Sequence, residues 1–280
     1  MGIIATVLLV LFGVGYCLLG YNLRFLNWAV EAMTESANRI GMKEESDLQG
    51  KRTYLKRDHK RAVRVNLYDS SNTENRTPLF LAFDGKFTGG DADEADEFCA
   101  ELQKYLSLPV ISVAYTKIDV HVTTYPQDEI ADTVRYFRKH AAEYDFDMNN
   151  YAMIGFGAGA YLSLIAATAL VQDNVIPSGL IFVDPFVDYV AVSFVKAGMH
   201  PGPVSLITTR EQSGNRKIDE YEEAMIQYNL PYSRKNFLHH DLRDLIAKES
   251  EDEQIRLRKQ DFLSCIREKL ELFYSPGFHA

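Results

Sequence analysis

The sequence predicts an α/β domain, a mostly parallel sheet with helices on both faces, preceded by an N-terminal transmembrane helix. Three observations carry this. From about residue 60 onward, short apolar runs of strand length alternate with longer runs of helical length, the pattern of parallel strands joined by crossover helices. Within 147–171 a short apolar run, Tyr151–Ile154, meets the turn Gly155-Phe156-Gly157-Ala158-Gly159-Ala160 and then a long alanine-rich run, which reads as strand, glycine turn, helix. Residues 2–23 contain no charged side chain, and about 20 such residues in a helix cross the hydrocarbon core of a bilayer.

With 280 residues, 46% of them hydrophobic and 25% charged, the chain has material for one good-sized core. A formal charge of −9 argues against general nucleic-acid binding. Cys17, Cys99 and Cys265 are scattered and show no CxxC spacing, so they read as reduced thiols rather than a disulfide framework or metal site. No cofactor is expected on the leading reading.

In chain order, residues 1–24 read as an anchor. A cleaved signal peptide fits less well, because no basic residue precedes the apolar run and no small-x-small cleavage pattern follows it. Arg24, Arg39 and Lys43 follow the run; positive residues stay cytoplasmic, so a single-pass protein of the cell membrane is expected, its bulk in the cytoplasm. Residues 25–58 read as a juxtamembrane segment. Phe25, Leu26, Trp28, Ala29, Ala32, Met33, Ala37 and Ile40 give an amphipathic helix, and a basic linker follows. Seven basic residues between Lys51 and Arg64 face one acid, Asp58. They could lie on anionic headgroups, each charge worth about 1 kcal/mol near the surface, or form the solvent face of a strand.

The α/β domain is expected over 59–280. Ala62–Tyr68 and Pro78–Phe83 read as strands joined by the polar turn Asp69–Thr77, Asp91–Leu106 as a helix and Pro109–Tyr115 as a strand. A helix is expected at Glu129–Tyr144, before the strand–turn–helix. Leu180–Val183, Val204–Thr208 and Tyr232–Phe237 read as strands, Asp219–Tyr228 and Glu251–Tyr274 as helices. DADEADE, Asp91–Glu97, lacks the spacing of a calcium loop. Asp91 with Glu94 three residues on instead reads as a helix cap, its acids complementing the helix dipole.

The glycine turn admits two chemistries. Gly155-x-Gly157-x-x-Ala160 fits a dinucleotide fingerprint, with Asp184 ending the next apolar strand where a ribose-binding acid would sit. Against this, that fingerprint normally opens its domain, and here several elements precede it. The second is a nucleophile elbow, in which a strained strand-to-helix turn lifts a hydroxyl over the sheet beside backbone N–H donors and a histidine base.

Around the turn the chain resembles the hormone-sensitive-lipase-like esterases of the α/β-hydrolase superfamily. LFLAFDGKFTGG (Leu79–Gly90) resembles the strand and oxyanion loop, PVISVAYTK (Pro109–Lys117) the next strand, and YPQDEIADTVRYF (Tyr125–Phe137) the helix before the elbow. GFGAGA falls on the elbow, FVDPFVDY (Phe182–Tyr189) on the next strand end, SLITTREQ on the strand presenting the acid, and FLHHDL (Phe237–Leu242) on the histidine loop.

That resemblance implies a nucleophile at 157, where the residue is glycine. It implies oxyanion or ligand contacts from Asp84, Gly85, Lys86 and Ala158, although an acid and a long cation stand where backbone should face the oxyanion. Glu211 and His239 or His240 are left as relics of acid and base. Losing a triad nucleophile lowers turnover on the order of a million-fold. Ser163 lies two turns into the helix, Cys99 is on another helix, and Asp84 is the one carboxylate placed to substitute. Only about fifteen residues separate FVDPFVDY from Val204, implying a reduced cap. The leading expectation is a non-catalytic, esterase-like domain binding membrane lipid, a small ligand or a protein partner at the former site. The alternatives are an active carboxylester or acyl hydrolase with non-standard residues, and a dinucleotide-binding oxidoreductase.

Overall fold

The computed structural model describes residues 41–70, 76–83, 87, 90–117, 125–212, 214–237, 241–242, 246 and 253–275. The charge-free run at 2–23 and most of the amphipathic segment lie outside them. Among the described residues no helix is long and apolar enough to cross a membrane.

The chain first makes an antiparallel hairpin, β1 (Lys51–Arg57) and β2 (Lys60–Tyr68), turned at Asp58 and His59 with His59 left-handed at φ 56°. Then come β3 (Leu79–Ala82), α1 (Asp96–Leu106), β4 (Val110–Ala114), α2 (Tyr125–Lys139) and the single turn α3 (Ala141–Tyr144). They lead to β5 (Ala152–Phe156), α4 (Ala158–Val171), β6 (Gly179–Val183), α5 (Tyr189–Lys196), β7 (Val204–Thr209), α6 (Arg216–Gln227), β8 (Tyr232–Phe237) and α7 (Glu253–Tyr274). The eight strands form one sheet in the order β1-β2-β4-β3-β5-β6-β7-β8. From β4 across to β8 every pairing is parallel, and β2 runs antiparallel to β4.

Strand alternation divides the core. Phe80, Ile111, Met153, Leu180 and Leu206 point to the face covered by α2, α4, α5 and α6. Leu79, Leu81, Val110, Ile154, Ile181 and Ile207 point to the face covered by α1 and α7. With helices on both sides, the central strands are apolar at every position, as parallel sheets require.

Lys51–Arg57, read from the sequence as basic linker, is the edge strand of this sheet. The folded unit therefore begins ahead of residue 59. Lys43 N–H donates to Asp93 at 2.9 Å, and the Gln49 and Gly50 amides donate to Asp96 at 3.1 and 3.2 Å. The basic residues look like linker because their partners are distant in sequence. Arg52 pairs with Asp93 at 2.6 Å, Arg57 with Glu129 and Asp132, and Arg64 with Asp91. The acidic run is thus structural, as its cap spacing suggests. Asp91 caps a 3-10 turn at Ala92–Ala95 with Glu94 completing the capping box. Asp93 and Asp96 are fully buried. Burial alone would raise Asp93, but the Asn66 amide, the Lys43 N–H, Arg64 and Arg52 together hold it below the ordinary carboxylate range.

α5 was not apparent from the sequence. Asp188 initiates it, accepting from the Val190 and Ala191 amides, a capping signal hidden inside a segment that otherwise reads as a shortened cap.

Candidate active site at the carboxyl edge of the sheet

In parallel sheets ligands bind beyond the carboxyl ends of the strands. Here that edge gathers Phe83 after β3, Tyr115–Lys117 after β4, Gly157 after β5, Asp184 after β6 and the turn Arg210–Gln212 after β7. Gly157 stands between β5 and α4 with φ 51° and ψ −115°, a conformation that costs a side-chain-bearing residue about 1–3 kcal/mol. Its N–H donates to the Val183 carbonyl at 2.9 Å, and its carbonyl accepts from Phe186 N–H at 3.0 Å. This is the geometry of an elbow, held from both sides by the β6 end.

The flanking glycines make that turn possible. A Cβ on Gly155 would meet the Ala160 backbone, with Ala160 N at 2.6 Å. A Cβ on Gly159 would run into the Ala82 carbonyl group, its carbon at 2.7 Å, and into the Phe83 oxygen at 2.9 Å. α4 can seat against the end of β3 only without side chains there.

Ala158, buried, is the first residue of α4, so its amide belongs to the donor-rich first turn. Phe87, Tyr161 and Phe186 gather beside the elbow in mutual edge-to-face contact, ring centroids 5.2–6.0 Å apart. Tyr161 donates to Asp188 at 3.1 Å, and burial together with that carboxylate pushes its phenol up to about 12. Tyr115 donates to the Phe83 carbonyl at 2.8 Å and so ties the residue after β3 to the end of β4.

A cavity of about 340 Å3 opens next to this edge, lined among the described residues by Tyr54, Arg61, Arg64, Tyr115, Lys117 and Glu129, among others. Burial lowers the Lys117 ammonium, against the opposing pull of the Asp91 carboxylate at 3.8 Å. Burial raises Glu129, against the opposing pull of the Thr116 amide and hydroxyl and of Arg57.

Of the residues the sequence singles out, Gly157 and Ala158 sit at the elbow. Residue 211 lies in the turn after β7, on the same edge. Asp84, Gly85, Lys86, His239 and His240 lie outside the described residues. Ser163 is buried in the middle of α4, its hydroxyl with no hydrogen-bond partner among the described residues. Six residues along a helix place it about 9 Å from residue 157. Cys99 is fully buried and its thiol is pushed far up by desolvation, so no thiolate is offered there. His200 precedes β7 at the opposite edge. Its Nε2 lies 2.8 Å from the Tyr221 hydroxyl, and burial brings it down to about 4. It is a neutral packing group.

The dinucleotide reading is corrected by the sheet. Its glycine turn follows a central strand, fifth in the chain, rather than the opening strand of the domain. Asp184 does not present its carboxylate to a ribose. It is buried and accepts from the Thr209 amide at 2.6 Å and from the Thr209 hydroxyl, tying the ends of β6 and β7 together.

The strand order, the antiparallel β2 and the elbow after β5 define a hydrolase-type α/β architecture. A family model described as alpha/beta hydrolase fold matches residues 79–229, just over half of the chain. The chain belongs to the α/β-hydrolase fold family, on its hormone-sensitive-lipase-like esterase branch. Acetyl esterases of Salmonella typhi and Salmonella dublin are 31% identical over 107 residues, which is 38% of this chain. The matched stretch spans only about a third, 32%, of those relatives' length.

Among solved structures, a bacterial heroin esterase superposes with a TM-score of 0.64 at 16% identity, covering 88% of this chain and 90% of that one. A thermostable carboxylesterase from a metagenomic library gives 0.65 at 14%, covering 90% and 98%. The esterase LipW from Mycobacterium marinum gives 0.65 at 15%, covering 89% and 88%. At these identities the likeness is one of fold.

Proposed function

We propose that this chain is a membrane-anchored esterase-like domain that binds a ligand or partner at the elbow edge without hydrolysing it. The carrying observation is Gly157. The turn that presents a nucleophile in this fold is built here, with its flanking glycines in place, around a residue that has no side chain. The buried Ser163 and Cys99 support the reading, because neither offers a substitute oxygen or sulfur at the edge. The sequence Phe83-Asp84-Gly85-Lys86 supports it too, since an oxyanion hole works through donors aimed at the developing charge and Asp84 would oppose that charge. The cavity beside Tyr115 and Lys117 gives a small ligand room next to the former site. The span at 2–23 supplies the anchor, with the bulk of the chain on the cytoplasmic side.

A second reading, an active hydrolase of short acyl esters with non-standard residues, is favoured by one observation: the curated relatives are acetyl esterases. One experiment separates the two. The purified full chain is given p-nitrophenyl acetate, and hydrolysis at the buffer rate is expected. Turnover abolished by Asp84→Asn or His240→Ala would overturn the non-catalytic reading.

A further inference from the structure

Four features that the sequence scatters are brought to one edge by the topology. β2 is antiparallel to β4, with Arg64 opposite Ala114, the last residue of β4. The hairpin tip therefore rises past the carboxyl edge, and four residues of β2 beyond that pair reach about 14 Å. The basic stretch sorts itself on this hairpin. Arg52, Arg57 and Arg64 turn inward onto buried carboxylates, whereas Lys56, Lys60 and Arg61 are exposed around the tip, Lys60 also reaching Asp132 at 3.2 Å.

On the other flank, just past the end of β6, Phe186 and Tyr189 are 48% and 76% exposed. β2 and β6 are four strand spacings apart in the sheet, about 19 Å. Tyr54, 57% exposed, is level with the same edge through its pairing with Arg64. Finally, the chain enters the fold there, since Lys43 N–H is bonded to Asp93 in the cap that opens α1. In sequence, only residues 24–42 separate that point from the charge-free run.

From this juxtaposition we propose that the carboxyl edge of the sheet, the edge bearing Gly157, docks onto an anionic lipid bilayer, seated by Lys56, Lys60 and Arg61 on one flank and by Phe186 and Tyr189 on the other. The proposal deepens the membrane-anchored reading above and takes its membrane from it. Charge decides the orientation. A chain of net charge −9 is repelled by an anionic surface in most poses and accepted where its exposed cations face the headgroups. Aromatic side chains favour the headgroup level, where one end is apolar and the other wet. The former active-site mouth then opens toward lipid, so a ligand reaches it from the bilayer.

The test places the full chain in vesicles of phosphatidylcholine alone or with phosphatidylserine and follows amide hydrogen exchange. With phosphatidylserine, exchange is expected to slow at least threefold at 54–63 and 185–190. It should stay unchanged at 174–177 and 197–202, on the opposite edge. Lys56→Glu with Arg61→Glu, two exposed positions, should abolish the slowing at both patches. Slowing at the opposite edge, at neither edge, or equally without phosphatidylserine would overturn the docking. Retention after a carbonate wash reads the anchor separately: a chain washed off fails the anchor, while the edge pattern still decides the docking.

Discussion

Residue 157 combines a demanding backbone with an undemanding side chain. A nucleophile there would be held at φ 51°, where any Cβ is strained; glycine adopts it freely. Gly157→Ser should therefore fold but lose about 1–2 kcal/mol of stability, read as a lowered urea midpoint at unchanged slope. Its p-nitrophenyl acetate turnover should remain at the buffer rate, because the sequence puts Asp84 and Lys86 where the esterase resemblance expects backbone donors. Gly159→Ala should be worse tolerated, by about 3 kcal/mol, since its methyl meets Ala82 and Phe83 backbone that cannot yield without moving β3. The sequence announced the elbow itself because glycine spacing is local. It could not announce that Asp184 would bond Thr209 instead of a ligand, a contact between strands 25 residues apart.

At the scale of elements, the hairpin and α1 are joined by buried charge. Arg52, Arg64, Asn66, Tyr68 and Lys43 converge on Asp91, Asp93 and Asp96. Removing one partner leaves a buried charge uncompensated, so Arg52→Ala or Arg64→Met should destabilise by about 3–5 kcal/mol, measured by urea unfolding. Another element-level prediction concerns the segment between α5 and β7. His200 is held down to about 4 in the fold against 6.5 for the free side chain, so the unfolded chain binds the extra proton between these values. Stability attributable to His200 is fully present above about pH 6.5 and is lost as pH falls toward 4, up to about 3 kcal/mol. His200→Gln should flatten that part of the stability–pH curve relative to the parent protein. Most strands and helices were legible because their apolar periods are intrinsic. β1 was not, because its one buried residue, Leu55, sits among charges whose partners belong to other elements.

For the whole molecule, the eight-strand order and the sidedness of the helices place elbow, aromatic cluster, basic hairpin tip and the start of the fold at one edge. The alternation of strand and helix signals implied a parallel sheet, but not which strands would be neighbours, and that order is what brings Lys56 and Tyr189 to the same end. Of the residues the resemblance implies as acid and base, Glu211 lies in the turn after β7, whereas His239 and His240 lie outside the described residues.

The tight seat of α4 against β3 has a consequence for how such a protein is recognised. Because Gly155 and Gly159 are required by the architecture whatever occupies the position between them, the outline of an esterase survives independently of its reactive atom. A silhouette matched to known esterases thus testifies to carpentry rather than chemistry, and the two must be scored by different measurements.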